Sequence, residues 1–171
     1  MDPRPSRMPW LSPYIAVKNL EKSANFYVKA FGFKIKGMKD HNGHINHINV
    51  FHKNTVLFMI HPENSMGSPA RSPTTLNISP SQSFYVFVDN VDKIYERAIA
   101  SGCRSVVFPE DFYWGDRMCT VTDLDGYSWS FAKALKKVAS KKKKSTTKKT
   151  KVTKSAKAKK VTKKTIKKRK S

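Results

Sequence analysis

The sequence predicts an α+β domain of two βαβββ modules, followed by a basic tail. Three observations carry this. Period-two and helical apolar patterns succeed each other as strand, helix and three strands, and then do so again. The two halves match at a shift of 71 residues: Val17-Lys-Asn-Leu-Glu-Lys22 lies over Val88-Asp-Asn-Val-Asp-Lys93, and Gly32 matches Gly102 with a one-residue slip. The charge is also divided. Residues 133–171 hold 20 of the 34 Lys and Arg and no acid, so the net charge of +22 splits into +2 for the body and +20 for the tail.

Residues 1–11, with three prolines, read as an extended arm. Ser12 to Val17 is expected as the first strand. Asn19 can cap a helix from Leu20 to Phe31, with Leu20, Ala24, Tyr27 and Phe31 on one face and Gly32 as its stop. Phe33 to Met38, Ile45 to Phe51 and Val56 to Ile60 follow as strands, separated by Asp40-His-Asn-Gly43 and by Lys53-Asn54. Residues 61–82, rich in Pro, Ser and Asn, read as a loop. Ser83 to Val88 is the fifth strand. A second helix runs from about Val91 to Ser101, capped by Asn90 and stopped by Gly102. Arg104 to Val107 is the sixth strand. Met118, Thr120 and Thr122 alternate with Cys119 and Val121. Asp125-Gly126 signals a hairpin turn, and Tyr127, Trp129 and Phe131 then alternate with two serines.

These elements set the expected organisation. Residues 1–11 are the arm, and 12–133 the folded domain, with modules at about 12–61 and 83–132. Residues 134–171 are the tail. The body carries the aromatics needed for a core. The tail has no aromatic residue and few branched apolar ones, so self-repulsion predicts disorder. Met-Asp-Pro-Arg-Pro-Ser-Arg opens the chain with no apolar run behind it, so neither a secretory signal nor a membrane span is expected. Cys103 and Cys119 lack metal-type spacing and read as buried small hydrophobes of a reducing compartment. The expected location is cytoplasmic, on the nucleoid in a bacterium or in the nucleus of a eukaryote.

Several motifs together resemble the vicinal oxygen chelate superfamily, the glyoxalase, bleomycin-resistance and dioxygenase fold. They are Val17-Lys-Asn-Leu-Glu-Lys-Ser-Ala-Asn-Phe-Tyr27, Phe31-Gly32-Phe33, Val88-Asp-Asn-Val-Asp92, Trp114-Gly-Asp-Arg117 and Asp123-Leu-Asp-Gly-Tyr-Ser-Trp129. The resemblance covers about residues 10–133. Leu124 stands where the family usually has Pro. The chain looks most like small bacterial members with a Trp-Gly-Asp-Arg loop and a histidine in strand three, which His47 matches.

The resemblance implies two curled sheets that enclose a cleft. It also implies one metal ligand on each of four strands, usually His or Glu, suited to a Lewis-acid metal. The matching positions are Ser12, Met59, Ser83 and Ser130. Serine hydroxyls are poor ligands for zinc or iron, and Met suits only soft metals. A shift of two on strand four would exchange Met59 for His61, but no plausible slip supplies the other three. The pattern argues against a glyoxalase I or a ring-cleaving dioxygenase, and no cofactor is expected.

Five residues are candidates for a ligand cleft: His47, Phe58, Tyr85, Trp114 and Arg117. His47 reads equally as a partly buried histidine satisfied by backbone. His44 and His47 fall on opposite faces of a strand and make no chelating pair. Trp114 and Arg117 suit a flat or anionic ligand. Their alternative is a loop lock in which Asp116 pairs with Arg117. Trp129 reads as core, and Asp123 and Asp125 as ordinary turn residues. No Ser-His-Asp, Cys-His or paired-carboxylate set follows from spacing.

The tail resembles in composition those of linker histones and bacterial histone-like proteins. Its charges include Lys141, Lys142, Lys143, Lys144, Lys148, Lys149, Lys159, Lys160, Lys163, Lys164, Lys167, Lys168, Arg169 and Lys170. Such a polycation releases counterions from nucleic acid, and with no base-reading element the binding is expected to ignore sequence. An import signal, a membrane patch and a solubilising role are the alternatives. The reading that joins these parts is a metal-free binding or sequestering protein, homodimeric, held on nucleic acid by its tail and taking an unknown small molecule. The alternatives are a lyase or isomerase using the same cleft and an architectural DNA-binding protein.

Overall fold

The structure is a computed structural model that describes residues 2–135. The first module holds β1 (Tyr14–Val17), α1 (Leu20–Phe31), β2 (Lys34–Lys39), β3 (Ile45–His52) and β4 (Thr55–Pro62). A short helix, α2 (Pro73–Leu76), lies in the connection. The second module holds β5 (Ser83–Phe87), α3 (Val91–Ala100), β6 (Arg104–Asp111), β7 (Asp116–Thr122) and β8 (Ser128–Ala134). The sheets have the orders β1-β4-β3-β2 and β5-β8-β7-β6, and in each the outer pair β1·β4 or β5·β8 is parallel. The α+β class and the doubled βαβββ order are as expected.

Local chemistry sets the repeat. Asn19 and Asn90 both sit in extended backbone, and each side chain accepts a 2.9 Å bond from the N–H of the residue three further on, Lys22 or Lys93. Each removes one orphan helix donor. Gly32 ends α1 in the left-handed region at φ 70°. A side chain there would also strike the Arg97 guanidinium, which donates to the Ala30 carbonyl at 2.9 Å.

Some boundaries differ from expectation. β1 starts at Tyr14, two residues after Ser12, and β6 runs on to Asp111. It passes Pro109 because β6 is an edge strand with irregular pairing, where a missing N–H is tolerated. The connection at 61–82 is not wholly loop. Ser72 caps α2, with Pro73 in its first turn, and Glu63 Oε1 accepts from Ser72 N, Ser72 Oγ and Thr75 Oγ1.

One core joins both modules. Tyr27 and Phe31 of α1 lie 5.6 and 5.5 Å from the Trp129 ring, and Phe58 of β4 lies 4.9 Å from it. Trp129, Phe131, Tyr27 and Phe58 are all fully or almost fully buried. Each large ring removes much apolar surface from water, so this cluster is a main source of cohesion between the modules.

A buried polar joint fixes their registration. Asp123 Oδ2 accepts from Tyr27 Oη at 2.8 Å and Trp129 Nε1 at 2.7 Å, and its Oδ1 accepts from the backbone of Asp125 and Tyr127. Asp125 accepts from Ser23 Oγ at 2.6 Å and from the Lys18 N–H at 3.0 Å. The turn between β7 and β8 is thereby tied to the start of α1. Gly126, at φ 89°, is pressed against α2: a Cβ would come within 3.0 Å of Pro73 and Thr74. Asp123 and Asp125 are therefore central joint residues rather than ordinary turn residues.

Candidate functional site

Strand alternation gives each sheet one face toward the shared core and one open face that looks away from it. Tyr14 pairs with Met59 and Ala16 with His61 on the first open face, with Asn49 and His47 on the neighbouring strand. The equivalent register on the second sheet pairs Tyr85 with Ser130, flanked by Thr120 and Met118. The 71-residue repeat therefore extends to these faces: Tyr14 maps to Tyr85, and Met59 to Ser130. Tyr14 was not among the residues singled out from the sequence. That same shift, applied to Tyr85, would have found it.

The five cleft candidates do not come together in one chain. His47 lies on the first open face, 6.0 Å from the Tyr14 ring, and its Nδ1 is 2.9 Å from Asn46 Oδ1. Burial, and then the nearby His61, hold its imidazole below the usual pKa. Tyr85 lies on the second open face and donates to Asp116 Oδ2 at 2.8 Å. Trp114 is half exposed and stacks on Phe112 at 4.4 Å.

Phe58 is a core residue at 1 % exposure, not part of a cleft. The register is regular through Ile60, Met59 and Phe58, so Met59 on the open side puts Phe58 in the core with Ile60, and the bulge between Val50 and Phe51 moves only Val56. Arg117 also leaves the expected cleft. Cys119 and Val121, two and four residues on, point into the core, so Arg117 faces the α3 side of its sheet. It binds Asp92 of α3 through Nε at 2.9 Å and Asp111 through a terminal nitrogen at 3.0 Å. These two carboxylates raise its pKa further, and Asp116 is not its partner.

The metal-type positions can be tested on their chemistry. Ser12 Oγ sits 3.5 Å from the Leu57 carbonyl, and Ser130 Oγ shares a 2.9 Å hydrogen bond with Thr120 Oγ1. Ser83 is exposed and pairs across the strands with Ser128. Met59 offers only a thioether. His61 is buried beside Tyr14, at 4.7 Å between rings, and its Nδ1 is 2.8 Å from the Pro62 carbonyl. One imidazole among hydroxyls and a thioether does not fit a Lewis-acid metal, which needs several anionic or imidazole ligands. Among the described residues no group of three or more His, Cys, Asp or Glu could hold a metal ion.

A cavity of about 490 Å³ lies on the first open face. Its floor includes Met38, His47, Asn49, Phe51 and Met59, and one wall is the arm at Pro5 to Met8. The family model described as the glyoxalase/bleomycin resistance protein/dioxygenase superfamily matches residues 7–131. The chain belongs to that superfamily. An uncharacterized protein of Mycobacterium bovis is 31% identical over 135 residues, covering 76% of this chain and 86% of its own length. An uncharacterized Mycobacterium tuberculosis protein is also 31% identical, with 77% of its length covered. Among solved structures, TioX from Micromonospora sp. ML1 is similar at a TM-score of 0.56 and 22% identity, covering 73% of this chain and 98% of TioX. A superfamily member from Sphaerobacter thermophilus gives 0.56 and 19%, covering 71% of this chain and 94% of its own. At these identities the structural likeness shows the fold. Cys103 and Cys119 are buried free thiols, their pKa values pushed up by burial to about 12 and about 11, which leaves them unreactive. The described residues contain no helix long and apolar enough to cross a membrane. The polycationic tail lies almost wholly outside the described residues.

Proposed function

We propose that this superfamily member binds or sequesters a small molecule without a family-type metal, and that its tail holds it on nucleic acid. The observation that carries the first part is the donor set: Ser12, Met59, Ser83 and Ser130 stand at the four positions where the resemblance expects ligands, while the open faces carry the rings of Tyr14 and Tyr85, with Trp114 exposed in the loop before β7. Apolar and aromatic walls with a few polar groups suit a ligand held by shape and hydrogen bonds. Each open face turns away from the core, so a homodimer that sets the first face of one copy against the second face of another would close two clefts. The second part rests on composition. A tail carrying about twenty positive charges, with half of them on phosphates, gives a salt slope on the order of −9 for duplex DNA.

Thermal denaturation of the full chain against a panel of aromatic ligands and divalent ions tests the cleft. Stabilisation by an organic ligand and none by zinc, iron or manganese is expected. Stoichiometric zinc or iron on the purified chain would overturn the metal-free reading. For the tail, DNA binding as a function of salt is compared with a chain ending at residue 135. Unchanged binding by the shortened chain would remove the tail from the account.

A further inference from the structure

The arm does more than precede the first strand. Its turn is held from several sides. The Arg7 carbonyl accepts from the Val56 N–H at 3.0 Å, which ties the arm to the start of β4. Met8 N–H donates to the Pro5 carbonyl at 3.2 Å and closes the turn, with Arg7 at φ 69°. A non-glycine residue at that φ is uncommon, and surrounding contacts must hold it there. Arg4 supplies several of them. It donates to the Met8 carbonyl at 3.1 Å, pairs with Asp2 at 2.7 Å and lies 4.2 Å from the centre of the Trp10 ring.

This turn stands over the open face of the first sheet, and the cavity of about 490 Å³ lies between them. Three methionines line it: Met8 from the arm, Met38 from β2 and Met59 from β4. Thioethers adapt to the ligand's outline and make favourable contacts with aromatic rings. The polar lining includes His47, held neutral at pH 7 by its lowered pKa, and Asn49. The Asn49 carboxamide oxygen is buried and has no hydrogen-bond partner among the described residues. Such a group carries a desolvation cost that a suitable partner relieves. Turning the amide about its last torsion presents either its oxygen or its NH2 to the cavity.

We propose that the Arg4–Met8 turn is a wall of a binding site for an aromatic molecule bearing an N–H or O–H group. The ring lies among Met8, Met38 and Met59, and the polar hydrogen meets the Asn49 carboxamide. The proposal rests on the reading of the chain as a small-ligand binder, and it assigns one of the two open faces, with the arm, as the place where the ligand sits. Among the described residues no comparable strap is tied over the second open face. Its methionine at the repeat position of His47 is Met118, so the two faces carry different reporters.

The test uses the full chain with 13C-methyl methionine and the uncharged probe N-phenyl-1-naphthylamine, whose neutrality keeps it from collecting on the basic tail. Saturable binding of one probe per chain is expected, with methyl shifts at Met8, Met38 and Met59 that exceed any at Met118, which in a dimer of the proposed kind would face the same cleft from the other copy. Deletion of residues 2–9 should weaken binding about tenfold, the loss of one well-packed contact set. Arg4→Ala, which loosens the turn without lining the cavity, should weaken it about threefold on the same scale with the global unfolding midpoint held. Shifts confined to Met118, or to Met59 and Met118 with Met8 unmoved and both arm variants binding normally, would overturn the wall and leave the ligand reading standing. No saturable binding by the full chain would overturn the aromatic site, and the separate ligand panel would then decide the wider reading.

Discussion

Tyr14 and Tyr85 stand at equivalent positions of two modules with the same backbone, yet their surroundings have diverged. Around Tyr14 are His47, Met59 and His61, with the arm strapped across part of the face. Around Tyr85 are Ser130, Thr120 and Met118, with Trp114 at the rim and Tyr85 itself bonded to Asp116. The turns differ too. Asp123, in the second module, falls at the repeat position of His52 in the first. Asp123 gathers four donors, whereas His52 Nε2 is buried with no partner among the described residues. Caps and strand order are the conserved part of the repeat because they need only local residues. Face and turn chemistry depends on contacts outside the repeat: the arm lies over the first face, and the turn at Asp123 and Asp125 meets Tyr27 and Ser23 of the other module.

The largest test of that contrast is the turn. Asp123→Ala strands the Tyr27 hydroxyl and the Trp129 N–H in the core and should cost about 3–5 kcal/mol in denaturant unfolding. His52→Ala should cost under about 1 kcal/mol, because its ring makes fewer polar commitments. Equal losses would mean that the two turns are interchangeable.

The second test is pH. Burial raises the Asp123 pKa from 3.8 to about 6, against the pull of the hydrogen bonds from Trp129, Tyr27 and the Tyr127 backbone. In the fold the group therefore binds its proton more tightly than in the unfolded chain. Its contribution favours folding below about pH 4 and is lost as pH rises through about 6, on the order of 2–3 kcal/mol in all. Unfolding at pH 4 and pH 7 should show this fall, and Asp123→Asn should remove that part of it. A fall that persists in Asp123→Asn would assign it to other groups.

Much of the frame was legible in the sequence. Asn19, Asn90 and Gly32 act through neighbours within a turn, so the α1 boundaries follow from local chemistry. The joint at Asp123 and Asp125 was not legible as a joint, because Tyr27 and Ser23 lie 96 and 102 residues away in the chain. Phe58 does not belong with the cleft candidates, because period two with Met59 on the open side puts it in the core beside Ile60. Residue 58 and residue 59 could not both face one side of a regular strand, and that conflict was the available warning. The arm read as extended, since a turn held by Arg4 and by β4 depends on contacts that spacing does not encode.

A third test asks whether the helix caps are as equivalent as their geometry. Asn19→Ala and Asn90→Ala each remove one bond of 2.9 Å at the same helical position and should each cost about 1 kcal/mol. A difference of more than about 1 kcal/mol between them would show that tertiary context, not the cap, sets the effect.

The smallest effect is expected at Arg117. Its ion pairs with Asp92 and Asp111 have no counterpart in the first module, where Asn46 occupies the repeat position. All three side chains are substantially exposed, so solvent screens the pair and the stabilisation is slight. Arg117→Met should therefore lower the unfolding midpoint less than either cap variant, and the difference should vanish near 1 M salt, where the Debye length is about 3 Å. Because Arg117 faces α3 rather than the open side, the same substitution should leave probe affinity unchanged. Lost probe binding in a folded Arg117→Met chain would return this residue to the cleft and would mean that the second sheet presents a different face from the one its core residues define.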